Sequence, residues 1–70
     1  MTDYVVIYER NADGWWAYLP DLPGCTAAGE DRVEVERNVR EVVVAHLELL
    51  RSTGRPIPEP AARDAGRIAV

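Results

Sequence analysis

Two β-type runs separated by a short polar turn constrain this fold more than any other feature. Residues 4–10 and residues 15–19 are rich in β-branched and aromatic side chains, as strands are. Between them, residues 11–14 end in Asp-Gly, a pair typical of tight hairpin turns. Whether the loop is Asp13-Gly14 alone or all of residues 11–14, its even length pairs even positions of the first strand with odd positions of the second. The sequence therefore predicts a β-hairpin and the residues on each of its faces.

Large apolar side chains occur on both predicted faces of this hairpin. One face carries Tyr4, Val6, Tyr8, Trp15, Ala17 and Leu19, and the other carries Val5, Ile7, Glu9, Trp16 and Tyr18. A single helix covers one face of a sheet, and we place it over Ala17, whose small side chain permits close approach. The face with Trp16 and Tyr18 then requires a second subunit or a partner, unless these aromatics are ordinary surface residues.

The segment after the hairpin predicts a rigid turn and a third strand. Residues 20–24, Pro-Asp-Leu-Pro-Gly, contain two prolines, which lack an N–H group and cannot continue a strand ladder. Residues 25–29 are compatible with a short strand. Residues 67–70, Arg-Ile-Ala-Val, form another short β-type run, and we predict a last strand there.

A long helix is predicted between these two short strands. Asp31 and Glu34 have the Asp-x-x-Glu spacing of a capping box, which marks a helix start. The apolar residues that follow recur at helical spacing. The helix is expected to end near Ser52, because Gly54 suits a left-handed position and the prolines beyond it exclude further helix. The predicted order is β-β-β-α-β, an α+β fold in a single domain over residues 1–70.

Length and charge narrow the partners that this chain can have. A chain of 70 residues buries little core, and with Cys25 as its single cysteine it forms no internal disulfide, so we expect a homodimer or larger homo-oligomer. The net charge of −4 repels nucleic-acid phosphates and favours a basic partner. The sequence shows neither a run as long as a membrane span nor a signal peptide, so a cytoplasmic location is expected.

Catalytic or cofactor chemistry has few candidate residues in this sequence. His46 is the only histidine, and its spacing among apolar helix residues favours a packed or rim position over a base or a metal ligand. Cys25 lies between a turn and a strand, where a buried, inert thiol is expected. Asp13 and Asp21 fall in turns, where aspartate makes local backbone bonds, so metal chemistry is not expected. We therefore predict no enzymatic activity, no cofactor and no metal.

Several motifs in this order resemble the HicB family of antitoxins. They are Asp13-Gly14-Trp15-Trp16-Ala17, Pro20-Asp21-Leu22-Pro23-Gly24-Cys25, Gly29-Glu30-Asp31 and Gly54-x-Pro56-Ile57-Pro58. The resemblance covers residues 4–60, and the Pro-Asp-Leu-Pro-Gly-Cys run after an aromatic strand is its most specific part. At the helix start, Asp31 stands where the family usually has threonine, and aspartate caps a helix equally well.

The resemblance implies a degraded ribonuclease H-like fold of β-β-β-α-β order without a nuclease site. It also implies homo-oligomers and a partner, a small basic toxin of the HicA type that cleaves mRNA and whose active histidine the antitoxin covers. Many members carry a C-terminal DNA-binding domain, whereas only ten residues follow Pro60 here, so no direct DNA binding is expected. The alternatives are an orphan oligomeric module without a toxin and a ribonuclease H-like nucleic-acid-processing protein.

The predicted partner-binding residues lie at the end of the hairpin and in the turn that follows it. They are Trp16, Tyr18, Pro20, Asp21, Leu22 and Pro23. Aromatic side chains serve as anchors in protein interfaces, and a stiff turn presents its side chains at little entropic cost on binding. The alternative is that the turn only links two strands and supports the hydrophobic core.

Overall fold

The computed structural model describes residues 3–70 and shows three strands followed by one long helix. The elements are β1 at Ile7–Asn11, β2 at Gly14–Tyr18, β3 at Thr26–Gly29 and α1 at Arg32–Ser52. The strands form one antiparallel sheet in the order β1-β2-β3. The predicted α+β class and the β-β-β-α order are confirmed.

The hairpin register fixes which residues share a face of the sheet. Tyr8 lies opposite Ala17, so even positions of β1 pair with odd positions of β2, as predicted. The loop consists of the two residues Ala12 and Asp13, so both predicted loops, Asp13-Gly14 and residues 11–14, are wrong, although the predicted even length is correct. Gly14, at a φ of 136°, is the first residue of β2 and lies just beyond the loop. The two predicted faces are therefore the faces of the folded sheet.

The capping box predicted for α1 is present. The Asp31 carboxylate accepts a hydrogen bond from the backbone N–H of Glu34 at 2.8 Å, and the Glu34 carboxylate accepts one from the backbone N–H of Glu30 at 3.1 Å. At the other end, Gly54 adopts a positive φ of 70°, which terminates the helix. The helix thus begins and ends where its sequence predicted.

No helix within residues 3–70 is long and apolar enough to cross a membrane.

The core lies between α1 and the inner face of the sheet. Its buried side chains are Ala17, Leu19, Leu22, Cys25, Val35 and Val39. Ala17 is fully buried in a cluster with Val35 and Val39 of α1, which confirms the predicted placement of the helix over this face. The Asn38 side-chain amide also donates a hydrogen bond to the carbonyl of Ala28 at 2.8 Å and ties α1 to β3.

The start of α1 approaches the end of β3 too closely for a side chain at Gly29. A Cβ atom there would lie 2.6 Å from the backbone nitrogen of Val35. We expect Gly29→Ala to lower the free energy of unfolding by about 1–3 kcal/mol, because helix and strand must separate to admit the methyl group. Urea unfolding followed by tryptophan fluorescence measures the change.

The matched control for this prediction is Gly66→Ala. Among the described residues, the methyl group that it adds meets no atom within 4 Å, so stability should change by less than about 0.5 kcal/mol. Equal unfolding free energies for the two variants would show that the close approach at Gly29 relaxes without cost.

The chain after α1, residues 55–70, is called here the C-terminal segment, and none of it forms a strand. Its first part is held against the sheet, where the Tyr4 hydroxyl donates a hydrogen bond to the carbonyl of Pro58. The predicted last strand at residues 67–70 is wrong for the single chain, because this run pairs with no strand of the sheet and is exposed, with Ile68 90% exposed. Ordering a residue costs about 1–2 kcal/mol of backbone entropy, and with no apolar burial nothing offsets that cost.

Candidate partner-binding surface

The face of the sheet opposite α1 is open and aromatic. We call it the outer face, and its residues are Val5, Ile7, Glu9, Trp16 and Tyr18. The rings of Trp16 and Tyr18 have centroids 5.1 Å apart and planes tilted by 33°, a favourable aromatic arrangement. The Trp16 indole N–H donates a hydrogen bond to a Glu9 carboxylate oxygen at 2.9 Å, which fixes the orientation of the indole. The apolar members are half-buried, so within residues 3–70 no element covers this face completely.

An acidic cleft lies beside the outer face, where the hairpin loop and the start of α1 meet. It encloses about 350 Å³ and is lined by Asn11, Asp13, Trp15, Trp16, Ala28, Gly29, Glu30 and Glu34. Asp13, Glu30 and Glu34 are acidic, and none of the lining residues is basic. Trp16 belongs both to this cleft and to the outer face. A cationic side chain placed here would meet carboxylates and indole rings, and both attract positive charge.

The turn between β2 and β3 divides its side chains between the surface and the core. Pro20 and Pro23 are exposed, but Leu22 is 1% exposed and belongs to the buried cluster. The Leu22 side chain therefore cannot contact a partner, which corrects the prediction for this residue. The turn is closed by two backbone hydrogen bonds, from Leu22 N–H to the carbonyl of Leu19 at 3.3 Å and from Cys25 N–H to the carbonyl of Leu22 at 3.1 Å. At Leu22 the turn supports the core.

Asp21 holds the C-terminal segment. Its Oδ2 atom accepts hydrogen bonds from the backbone N–H groups of Ala61 and Ala62, at 3.1 and 3.0 Å. Together with the bond between Tyr4 and Pro58, these bonds fix the first part of the segment against the turn. The partners of Asp21 lie 40 and 41 residues away along the chain, so local sequence patterns contain no sign of them.

The acidic cleft was also not predicted from the sequence. Asp13 belongs to the hairpin loop, whereas Glu30 and Glu34 flank the start of α1, and they become neighbours only when β3 pairs with β2. The net charge of −4 was the one property of the sequence that pointed to an acidic surface.

The two residues weighed for catalytic chemistry occupy ordinary packing positions. Cys25 is buried, and burial raises the pKa of its thiol, so the thiol stays protonated at neutral pH. His46 is half-buried on α1, the packed or rim position that its spacing predicted. In the part of the chain that the structure describes, no three His, Cys, Asp or Glu side chains are grouped so as to hold a metal ion.

These features define a small α+β domain, with one face of its sheet packed under a helix and the other face open beside an acidic cleft. A family model described as HicB-like antitoxin of bacterial toxin-antitoxin system matches residues 4–67. The chain therefore belongs to the HicB-like antitoxin family, as its motifs predicted.

Relatives and solved structures agree with this family. A UPF0150 protein of Thermoplasma acidophilum is 32% identical over 62 residues, which cover 87% of this chain and 90% of the relative. A UPF0150 protein of Synechocystis is 31% identical over 81% of this chain and 73% of its own length. A chain of a solved HicA3 and HicB3 toxin-antitoxin complex matches with a TM-score of 0.71 and 30% identity, over 86% of this chain and 70% of that chain. A crystal structure of antitoxin HicB3 matches with a TM-score of 0.69 and 32% identity, over 81% of this chain and 42% of that chain.

Proposed function

We propose that this protein is an antitoxin that binds a small basic toxin of the HicA type and neutralises it by covering its active site, without catalysing a reaction of its own. The observation that carries the proposal is the open outer face, with its pair of Trp16 and Tyr18, beside the acidic cleft. Membership of the family supports the class of function, and the similar chain in a toxin-antitoxin complex supports the class of partner. Because such a toxin acts on mRNA, we place the pair in the cytoplasm.

The outer face and the cleft have the chemistry that a basic partner requires. Trp16 and Tyr18 offer large, rigid apolar surfaces, and such anchors determine how long a complex lasts. The carboxylates of the cleft and the net charge of −4 attract a basic protein and speed its association. Pro20 and Pro23 extend the surface beyond the end of β2, and Asp21 supports it by binding the C-terminal segment to the turn.

The proposed function is tested with a cognate HicA-type toxin and a labelled mRNA fragment. We expect the purified protein alone to leave the RNA intact, with or without divalent metal, because within residues 3–70 no three His, Cys, Asp or Glu side chains are grouped so as to hold a metal ion. Added to the toxin, it should suppress cleavage at a stoichiometric ratio, and it should restore growth of cells that express the toxin.

Two outcomes would contradict this function. RNA cleavage by the protein alone that disappears in His46→Ala or Asp21→Ala would favour a ribonuclease H-like nucleic-acid-processing protein. If the protein binds no HicA-type toxin encoded in its own genome, an orphan module is the better description.

A further inference from the structure

A second open surface lies on the inner side of the sheet, between β1 and α1. It is a groove of about 340 Å³, with Tyr4, Val6 and Tyr8 on one wall and Val43, Val44 and Leu47 on the other. The charged residues Asp3, Glu36 and Arg40 also line it. The groove exists because α1 lies over β2 and β3, whereas β1 has no Cα atom within 8 Å of the helix among the residues described. The inner face is therefore left incompletely covered at its β1 end.

The groove runs beside a strand edge that can accept another strand. β1 pairs with β2 on one side, and no strand within residues 3–70 pairs with its other side. Such an edge presents unpaired backbone N–H and C=O groups, which an extended segment can pair with. The inward side chains of an added strand would fall between β1 and α1 and would fill the groove.

The C-terminal segment contains a run with the pattern that this added strand needs. In an extended backbone Ile68 and Val70 point to one side, and Arg67 points to the other. Ile68 is 90% exposed, Val70 is fully exposed, and no residue of the C-terminal segment lines the groove of its own chain. Pairing with β1 would place both apolar side chains in the groove and would bring Arg67 to the side of the sheet that carries Glu9. The positions of Arg67, Ile68 and Val70 in the run therefore fit the two sides of the sheet at the β1 edge.

Residues 63–70 project from the rest of the chain and are accessible to another molecule. They are all exposed. Asp21 holds Ala61 and Ala62 at the turn of their own chain, so the projecting residues extend from a fixed point.

We propose that two copies of this chain dimerise by exchanging residues 67–70, each run pairing as an added strand with the β1 edge of the other copy. A reciprocal exchange uses the same two surfaces in both copies and closes with two-fold symmetry. The acidic cleft and the aromatic pair of Trp16 and Tyr18 are not among the residues that the exchange pairs, and Glu9 is the one outer-face residue that it approaches, so this inference does not rest on the proposed antitoxin function.

Substitutions on both sides of the proposed contact test the exchange. Val44→Asp in the groove and Ile68→Asp in the donated run are each expected to raise the dimer dissociation constant at least about tenfold, because each places a carboxylate in an apolar contact. The matched controls are Val33→Asp, at an exposed α1 position outside the groove, and Ala65→Asp, before the donated run. Sedimentation equilibrium at micromolar concentrations measures the constants, and circular dichroism checks the fold of each variant. A monomeric parent, or controls that dissociate as readily as the groove variants, would overturn the proposal.

A cysteine experiment separates a second copy from other occupants of the groove. Val44→Cys and Ile68→Cys, made in separate chains and mixed, should form an intermolecular disulfide that neither chain forms alone, because Cys25 is buried. A chain that carries both changes is made as well. The proposal fails if the mixture forms no disulfide while the two cysteines of the double variant join within one chain, because residues 67–70 then occupy the groove of their own chain. It also fails if Val44→Asp leaves the dimer intact but abolishes toxin capture, since the groove then serves the toxin.

Discussion

Leu22→Ala is expected to lower the free energy of unfolding by about 2–5 kcal/mol, because truncating a fully buried leucine removes apolar contacts and leaves a cavity. The Leu22 side chain is 1% exposed and lies in the same buried cluster as Val35 and Val39 of α1. A domain of this size has a total stability of only about 4–10 kcal/mol, so the loss takes a large share of it. Urea unfolding at a fixed protein concentration measures the effect and keeps any contribution from dimerisation constant.

The matched control makes the same chemical change at an exposed position. Leu49 lies on α1 and is 52% exposed, so Leu49→Ala should change the stability by less than about 1 kcal/mol. If Leu22→Ala proves as stable as Leu49→Ala, the turn between β2 and β3 does not support the core, and Leu22 regains its place among the candidate partner contacts.

Trp16→Ala is expected to weaken toxin binding by about ten- to a hundredfold, mainly through faster dissociation. The indole belongs to both the outer face and the acidic cleft. Its removal reduces the apolar contact area of the outer face and removes part of the lining of the cleft. The side chain is half-buried and lies outside the buried core cluster, so the variant should fold. Surface plasmon resonance with an immobilised, catalytically inactive toxin gives the two rate constants separately.

Trp16→Phe is the control for this substitution. It keeps an aromatic ring beside Tyr18 and loses the N–H group that donates to Glu9, so it should bind the toxin nearly as tightly as the parent. If Trp16→Ala binds as the parent does, the interface lies elsewhere, on α1 or on the C-terminal segment, and the proposed outer-face contact is wrong.

The Pro-Asp-Leu-Pro-Gly-Cys motif, which identified the family, contributes more side chains to the core and to internal hydrogen bonds than to an exposed surface. Within Pro-Asp-Leu-Pro-Gly-Cys, Leu22 and Cys25 are buried in the core, and Asp21 binds the backbone of the C-terminal segment. Pro20 and Pro23 are the members of the predicted contact set in this turn whose side chains are exposed. A motif can therefore identify a family although some of its side chains, here Leu22 and Cys25, are buried in the core.

The sequence by itself determined the local structure of this protein. The parity of the hairpin register follows from the loop length, and α1 begins at the capping box of Asp31 and Glu34. The helix lies over Ala17 because a small side chain permits its close approach. The first two features depend on residues close together in the chain or on a strict alternation, and the third was predicted from the small size of the Ala17 side chain, so the sequence was sufficient for all three.

The tertiary structure alone decided where distant residues meet. It places Leu22 in the core, brings Asp21 to Ala61 and Ala62, and assembles the acidic cleft from a hairpin loop and a helix start. It also leaves residues 67–70 unpaired and a groove open beside β1. Each of these outcomes depends on which surfaces remain uncovered after α1 has packed over β2 and β3. Local patterns of residues do not predict them, because the contacts join segments that are far apart in the chain.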